Sequence, residues 1–177
     1  MKIIDQTTLD EIEQHLLRLG AGNHSDNMNR LRRFEFHYSL ELAEEDFLRL
    51  VFLQNNEVLE IVPRGYDRTL RSVAERAIKV EHPRLSKNWN LDENLRRMRE
   101  KSYHEGAFRE PLVICEARDG EEGFGPFYLQ DGSHRALACA SLILLREVQY
   151  QPQLAFCSMS NRMRGRLSAG QSQNPLG

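Results

Sequence analysis

The chain has 177 residues, of which 40% are hydrophobic and 28% charged, and its formal net charge is −2. That length suits one ordinary domain, or one with an extension; chains of this size bury about 70% of the surface exposed on unfolding, so neither disulfides nor a structural metal is required. The charge balance argues against a wholly basic nucleic-acid module, and three scattered cysteines with no CxxC pair argue against a zinc site.

Thr8-Leu-Asp-Glu11 has the form of a capping box, and Leu9, Ile12, Leu16 and Leu19 follow at helical spacing up to Gly20. The spacing predicts a helix ending at that glycine. Residues 20–30 are polar and read as a loop. Phe34, Phe36 and Tyr38 then alternate with Glu35, His37 and Ser39, the period of a strand, so His37 is a sheet residue before it is a site residue. Leu42 to Leu53 reads as a second helix, and Val58 to Val62 as a strand stopped by Pro63. Leu70, Val73, Ala74, Ala77 and Ile78 form the buried stripe of a third helix. Residues 1–76 thus read as a small α/β extension. It is either a substrate-specific part or the contact surface of a homo-oligomer.

A second unit, 77–157, opens with a break at Glu81-His82-Pro83, because proline disfavours helix in the residue before it. Asn90-Leu-Asp-Glu93 is a variant capping box, and Leu91, Leu95 and Met98 give the next helix its buried stripe. Arg96, Arg97, Arg99 and Lys101 lie between them as a solvated face, and Gly106 closes the helix. Pro111 to Glu116, Phe127 to Gln130 and Gln149 to Cys157 read as strands. The tail 158–177 has no apolar stripe and is expected to be disordered. No apolar run approaches the ~20 residues that span a bilayer, so a cytoplasmic protein without a membrane partner is expected.

The chemistry concentrates at Phe127–Leu145. A short apolar strand runs into Asp131-Gly-Ser133, then into an apolar helix that carries His134 and Arg135 on its first turn. A helix N-terminus has exposed N–H groups and a positive partial charge, and it ordinarily prefers acids. Two basic side chains there make sense around an anion, with the N–H groups as further donors. The plainer alternative has Asp131 as N-cap, Gly132 supplying a positive φ, and His134 and Arg135 merely solvated.

Glu110-Pro-Leu-Val-Ile114 and Leu129-Gln-Asp-Gly-Ser-His-Arg-Ala136, with the order of elements around them, resemble the ParB/sulfiredoxin-like superfamily over about residues 77–147. The resemblance implies an α/β (α+β) fold whose C-terminal unit binds nucleotide phosphates through Gly132, Ser133, His134 and Arg135. Ser133 stands where sulfiredoxins carry a cysteine, so their thiolate chemistry is missing. The partition-protein branch carries a Gly-Glu-Arg-Arg-like turn and a following helix–turn–helix domain, for which this chain leaves no length.

The Asp-Gly-x-His-Arg turn is nearest to the free-serine-kinase-like branch. That branch implies in-line phosphoryl transfer from ATP or ADP, with Mg²⁺, to a small-molecule hydroxyl. Asp131 would be catalytic as the Mg²⁺ ligand, and Glu81 would be the catalytic base, although here Glu81 precedes His82, the reverse of that branch's order. Arg84 and Lys87, ahead of the Leu91 helix, would add positive charge to the phosphate pocket, while Trp89 reads as a packing residue. The competing class is a non-catalytic nucleotide switch or a nucleic-acid-binding module, with Arg96, Arg97, Arg99, Lys101, Arg162, Arg164 and Arg166 as phosphate contacts.

Overall fold

The capping box forms as its sequence requires. Thr8 Oγ1 accepts from the Glu11 backbone N–H at 3.2 Å, and Glu11 Oε2 accepts from the Thr8 N–H at 2.7 Å. Gly20, at φ 65°, ends the helix in the left-handed region, where glycine carries no Cβ penalty. The structure, a computed structural model, describes residues 1–20, 24–53, 62, 65–79, 91–100, 110–117 and 125–171.

In chain order these form β1 (Lys2–Gln6), α1 (Leu9–Leu19), α2 (His24–Leu31), β2 (Phe36–Leu42), α3 (Glu44–Leu48), β3 (Val51–Phe52) and α4 (Leu70–Lys79). There follow α5 (Leu91–Glu100), β4 (Leu112–Glu116), β5 (Phe127–Asp131), α6 (Ser133–Leu144), β6 (Gln153–Met159) and α7 (Asn161–Gln171). The protein is mixed α+β.

Among the described residues, one six-stranded sheet runs in the order β1-β2-β6-β4-β5-β3. The β4–β6 and β3–β5 pairs are parallel and the others antiparallel. Side chains alternate across it. Leu112, Ile114, Phe127, Leu129, Ala155 and Cys157 join α4, α5 and α6 in one cluster, while Val113, Cys115 and Tyr128 join Ile12 and Leu16 of α1 and Met28 and Leu31 of α2 in another. Helices therefore cover both faces. Residues Ala136–Ala140 and Leu142 of α6 are fully buried, as an apolar helix with no polar face requires. Strands β2 and β3, from residues 1–76, lie in the same sheet as β4, β5 and β6.

The structure departs from the sequence expectations at four places. Residues 24–30, expected as loop, lie in α2, because Met28 and Leu31 lie three apart and close over the sheet beside α1. The expected helix over 42–53 shrinks to α3. Leu42 stays in β2, and Val51 and Phe52 pair with Tyr128 and Leu129 of β5. A continuous apolar run does not reveal where a strand gives way to a helix.

The first residues, too few and too mixed to show a period, form β1. Its pairing slips between Ile3 and Asp5, leaving Ile4 half exposed; the irregularity and the charges of Lys2 and Asp5 blunt this sheet edge against further pairing. Finally, the tail is not disordered over its described part. Strand β6 runs to Met159, Ser160 Oγ accepts from the Met163 N–H at 3.3 Å, and Arg164 lies 4.5 Å from the Phe36 ring centroid. Met163 and Leu167, one helical turn apart, pack on the core, an apolar pair too sparse to stand out among the polar residues of α7. The expected strand over 58–62 lies outside the described residues except for Val62, which is buried, and Gly106 lies outside them as well.

Candidate functional site

The Asp131–Arg135 turn lies where β5 hands over to α6. Gly132 holds φ 84°, and a Cβ there would stand 2.5 Å from Leu112 Cδ2 and 2.9 Å from Arg135 Nη2. The backbone conformation calls for glycine, and a Cβ would also force Leu112 and Arg135 to shift. Gly132 is also the N-cap, with no side-chain cap bond, and its carbonyl accepts the first helical bond from Ala136 N at 2.8 Å. Asp131 is therefore not the cap of the plainer alternative.

Instead, Asp131 Oδ2 accepts from Arg135 Nη2 at 3.4 Å, an i,i+4 pair with both side chains about three-quarters buried, Arg135 24% and Asp131 21% exposed. Arg135 Nη1 also donates to the Glu110 carbonyl at 3.1 Å. Burial lowers the pKa of Arg135 from its ordinary value, opposed by Asp131 and Glu110, and the guanidinium keeps its charge. Ser133 and His134 are partly buried on the same first turn.

Three residues outside the Asp131–Arg135 turn join this cluster. His15 of α1, 3% exposed, places Nε2 3.0 Å from the Pro111 carbonyl oxygen and Nδ1 3.0 Å from Arg18 Nη2. Arg18 Nη2 also donates to Glu110 Oε2 at 3.3 Å. The His15 pKa is lowered, first by burial and then by the charges of Arg18 and Arg135, against the raising effects of Pro111 and Glu110. The sequence signal for His15 is a titratable residue on the apolar stripe of α1, next to Leu16. Nothing local ties Arg18 or Glu110 to it.

Of the residues expected at the site, the structure brings together Asp131, Gly132, Ser133, His134 and Arg135, which adjacency alone nearly guarantees. Glu81, Lys87, Arg84 and Trp89 lie outside the described residues. The three arginines of the expected basic face of α5 are charge-compensated: Arg96 and Arg97 pair with Glu93 at 2.7 and 2.8 Å, and Arg99 pairs with Glu147 at 2.6 Å, while Lys101 lies outside the described residues. His37 is a sheet residue, its Nδ1 2.8 Å from Ser158 Oγ. Among the described residues no group of three or more His, Cys, Asp or Glu is placed to hold a metal ion.

A cleft of about 380 Å³ lies apart from the turn and is lined by charged residues that satisfy one another. There Glu45 pairs with Arg49 and Arg71, and Asp67 accepts from Thr69. No protein-family model, curated protein or solved structure matches this chain.

Proposed function

We propose that the N-terminus of α6 binds the phosphates of a nucleotide, ATP or ADP, and that the chain transfers a phosphoryl group from it to a small-molecule hydroxyl. The observation that carries this reading is the terminus itself. It is opened by a left-handed glycine, has no side-chain cap, belongs to a buried helix and bears Ser133, His134 and Arg135 on its first turn. Helix N–H groups and the macrodipole favour an anion at such a place. Arg135 brings a fork suited to two phosphate oxygens, already steadied by Asp131 and the Glu110 carbonyl. The resemblance of Asp131–Arg135 to the turn of free-serine-kinase-like members of the ParB/sulfiredoxin-like superfamily supports the transfer.

Phosphoryl transfer asks mainly for positioning and charge neutralisation. Asp131 is the residue that would hold Mg²⁺, since that ion takes one or two carboxylates plus substrate phosphates, and the ion would neutralise charge on the phosphoryl oxygens. Glu81 would take the hydroxyl proton and Lys87 would meet a phosphate oxygen.

The Asp131–Arg135 ion pair favours a second reading, a nucleotide-operated switch without transfer. A phosphate that drew Arg135 from Asp131 would also change its hold on Glu110. Calorimetry and mass spectrometry separate the two. Arg135→Ala should weaken ATP binding by about 1.5–3 kcal/mol, the worth of a charge-assisted hydrogen bond, while the fold survives. A pool of hydroxyl-bearing metabolites incubated with ATP or ADP and Mg²⁺ should yield a species heavier by one phosphoryl group. Tight binding without such a product replaces the kinase with the switch. Equal affinity in wild type and Arg135→Ala removes Arg135 from the site.

A further inference from the structure

His15 is an oddity of α1, a titratable ring buried on the helix's apolar stripe beside Leu16, which is itself fully buried. Its contacts define the ring's form. A carbonyl only accepts and a guanidinium only donates, so Nε2 carries the proton toward Pro111 and Nδ1 accepts from Arg18. The Phe156 ring of β6, edge-on at 5.2 Å, packs against the imidazole. The segment His15 grips is also gripped by Arg135. The Pro111 carbonyl serves His15, and the neighbouring Glu110 carbonyl accepts from Arg135 at 3.1 Å. Two consecutive carbonyls thus tie α1 to the first turn of α6.

We infer that His15 is a positioning residue for Arg135: its neutral, Nε2-protonated ring fixes the Glu110–Pro111 segment, whose Glu110 carbonyl holds the Arg135 guanidinium at the start of α6. This rests on the phosphate-site reading for its purpose, though not for its geometry, and it makes α1 part of the site. Among the described residues, the charged groups around the ring are Arg18 on α1, Glu110 ahead of β4 and Arg135 on α6, with Asp131 behind Arg135; β6 presents the apolar Phe156. Protonating Nδ1 turns an acceptor into a donor that faces a guanidinium. Arg18 must then withdraw, and Glu110 Oε2, 3.7 Å from Nδ1, becomes the ring's partner. That shift moves the residue whose carbonyl Arg135 uses, so the placement of Arg135 is proton-linked.

The test uses the full chain without nucleotide, with ¹⁵N-labelled arginine side chains followed by NMR. The Arg135 signal is assigned by its loss in Arg135→Lys, and a His134→Gln background removes the neighbouring imidazole. The Arg135 signal is expected to shift together with protonation of His15, which burial holds below the ordinary imidazole value of about 6.5. In His15→Gln, whose amide donates without titrating, the neutral-pH signal should persist and the shift should vanish. Arg18→Ala, an exposed site that leaves the core intact, should raise the His15 midpoint, Glu110→Gln should lower it, and the Arg135 response should follow both.

An Arg135 signal that titrates unchanged in His15→Gln, or that ignores the midpoint shift in Arg18→Ala, overturns the inference. Should His15→Gln fail to fold, the Arg18 and Glu110 variants decide it. ATP calorimetry on the same proteins is read separately. A wild type that binds no ATP defeats the phosphate-site reading, while the NMR titration still decides whether His15 positions Arg135.

Discussion

Gly132 meets two demands that its neighbours in sequence reveal unequally. The Asp-Gly dipeptide before an apolar helix announces a positive φ, but nothing in the sequence announces that Leu112 and Arg135 crowd the place of a Cβ. The two demands separate by substitution. Gly20 holds φ 65° with open space around it, so Gly20→Ala carries only the left-handed penalty, about 1–2 kcal/mol. Gly132→Ala adds a clash with the fully packed Leu112 and should lose about 2–4 kcal/mol in all. Urea unfolding of both variants checks this. Equal losses would show that Leu112 and Arg135 yield freely to the new methyl group. The same blindness to distant partners hides the pairing of Asp131. Its i,i+4 spacing to Arg135 is plain in the sequence, but the Glu110 carbonyl that brings the guanidinium back over the turn is not.

At the scale of elements, legibility follows the density of apolar signal. The helices with stripes of three or more apolar residues, α1, α4, α5 and α6, and the strands around Ile114 and Leu129 are all readable from spacing. Two of the elements that escape it, α2 and α7, rest on apolar pairs, Met28 with Leu31 and Met163 with Leu167, set among polar residues. Two histidines held within readable elements, His15 on the stripe of α1 and His37 in β2, bear on stability. His15 and His37 both have pKa values lowered by burial, so each is neutral in the fold and easier to protonate once unfolded. Their contribution to stability is complete above the unfolded-state value, about 6.5, and is lost as pH falls through the lower folded-state values. Urea midpoints should therefore drop as pH falls below about 6.5, and the drop should shrink in His15→Gln and again in His37→Gln. A drop of the same size in wild type and both variants would assign the acid sensitivity to carboxylates instead.

For the whole molecule, the decisive feature is where β2 lies. The sequence divides into a stretch without motifs, 1–76, and a stretch with them, 77–157, but the sheet does not follow that division. Strand β2 pairs with β6 along its whole length, from Phe36 opposite Met159 to Leu42 opposite Gln153, and β3 closes the far side against β5. Leu40, Leu42, Phe47 and Val73 share one core cluster with Leu112, Leu137 and Ala155. Neither stretch can bury its apolar face without the other, so unfolding should be a single cooperative transition. The three cysteines supply internal probes, because all are fully buried and they sit on both faces of the sheet: Cys115 under α1 and α2, Cys139 and Cys157 on the side of α4, α5 and α6. Variants that keep one cysteine each should resist a thiol reagent in the native state and become reactive at the same urea concentration, coincident with the loss of far-UV circular dichroism. If Cys115 reacted well before the other two, the layer of α1 and α2 would be opening on its own. The His15 contact to Pro111 would then be the first tie to break, and the turn at Arg135 would lose its outer support while the sheet still stood.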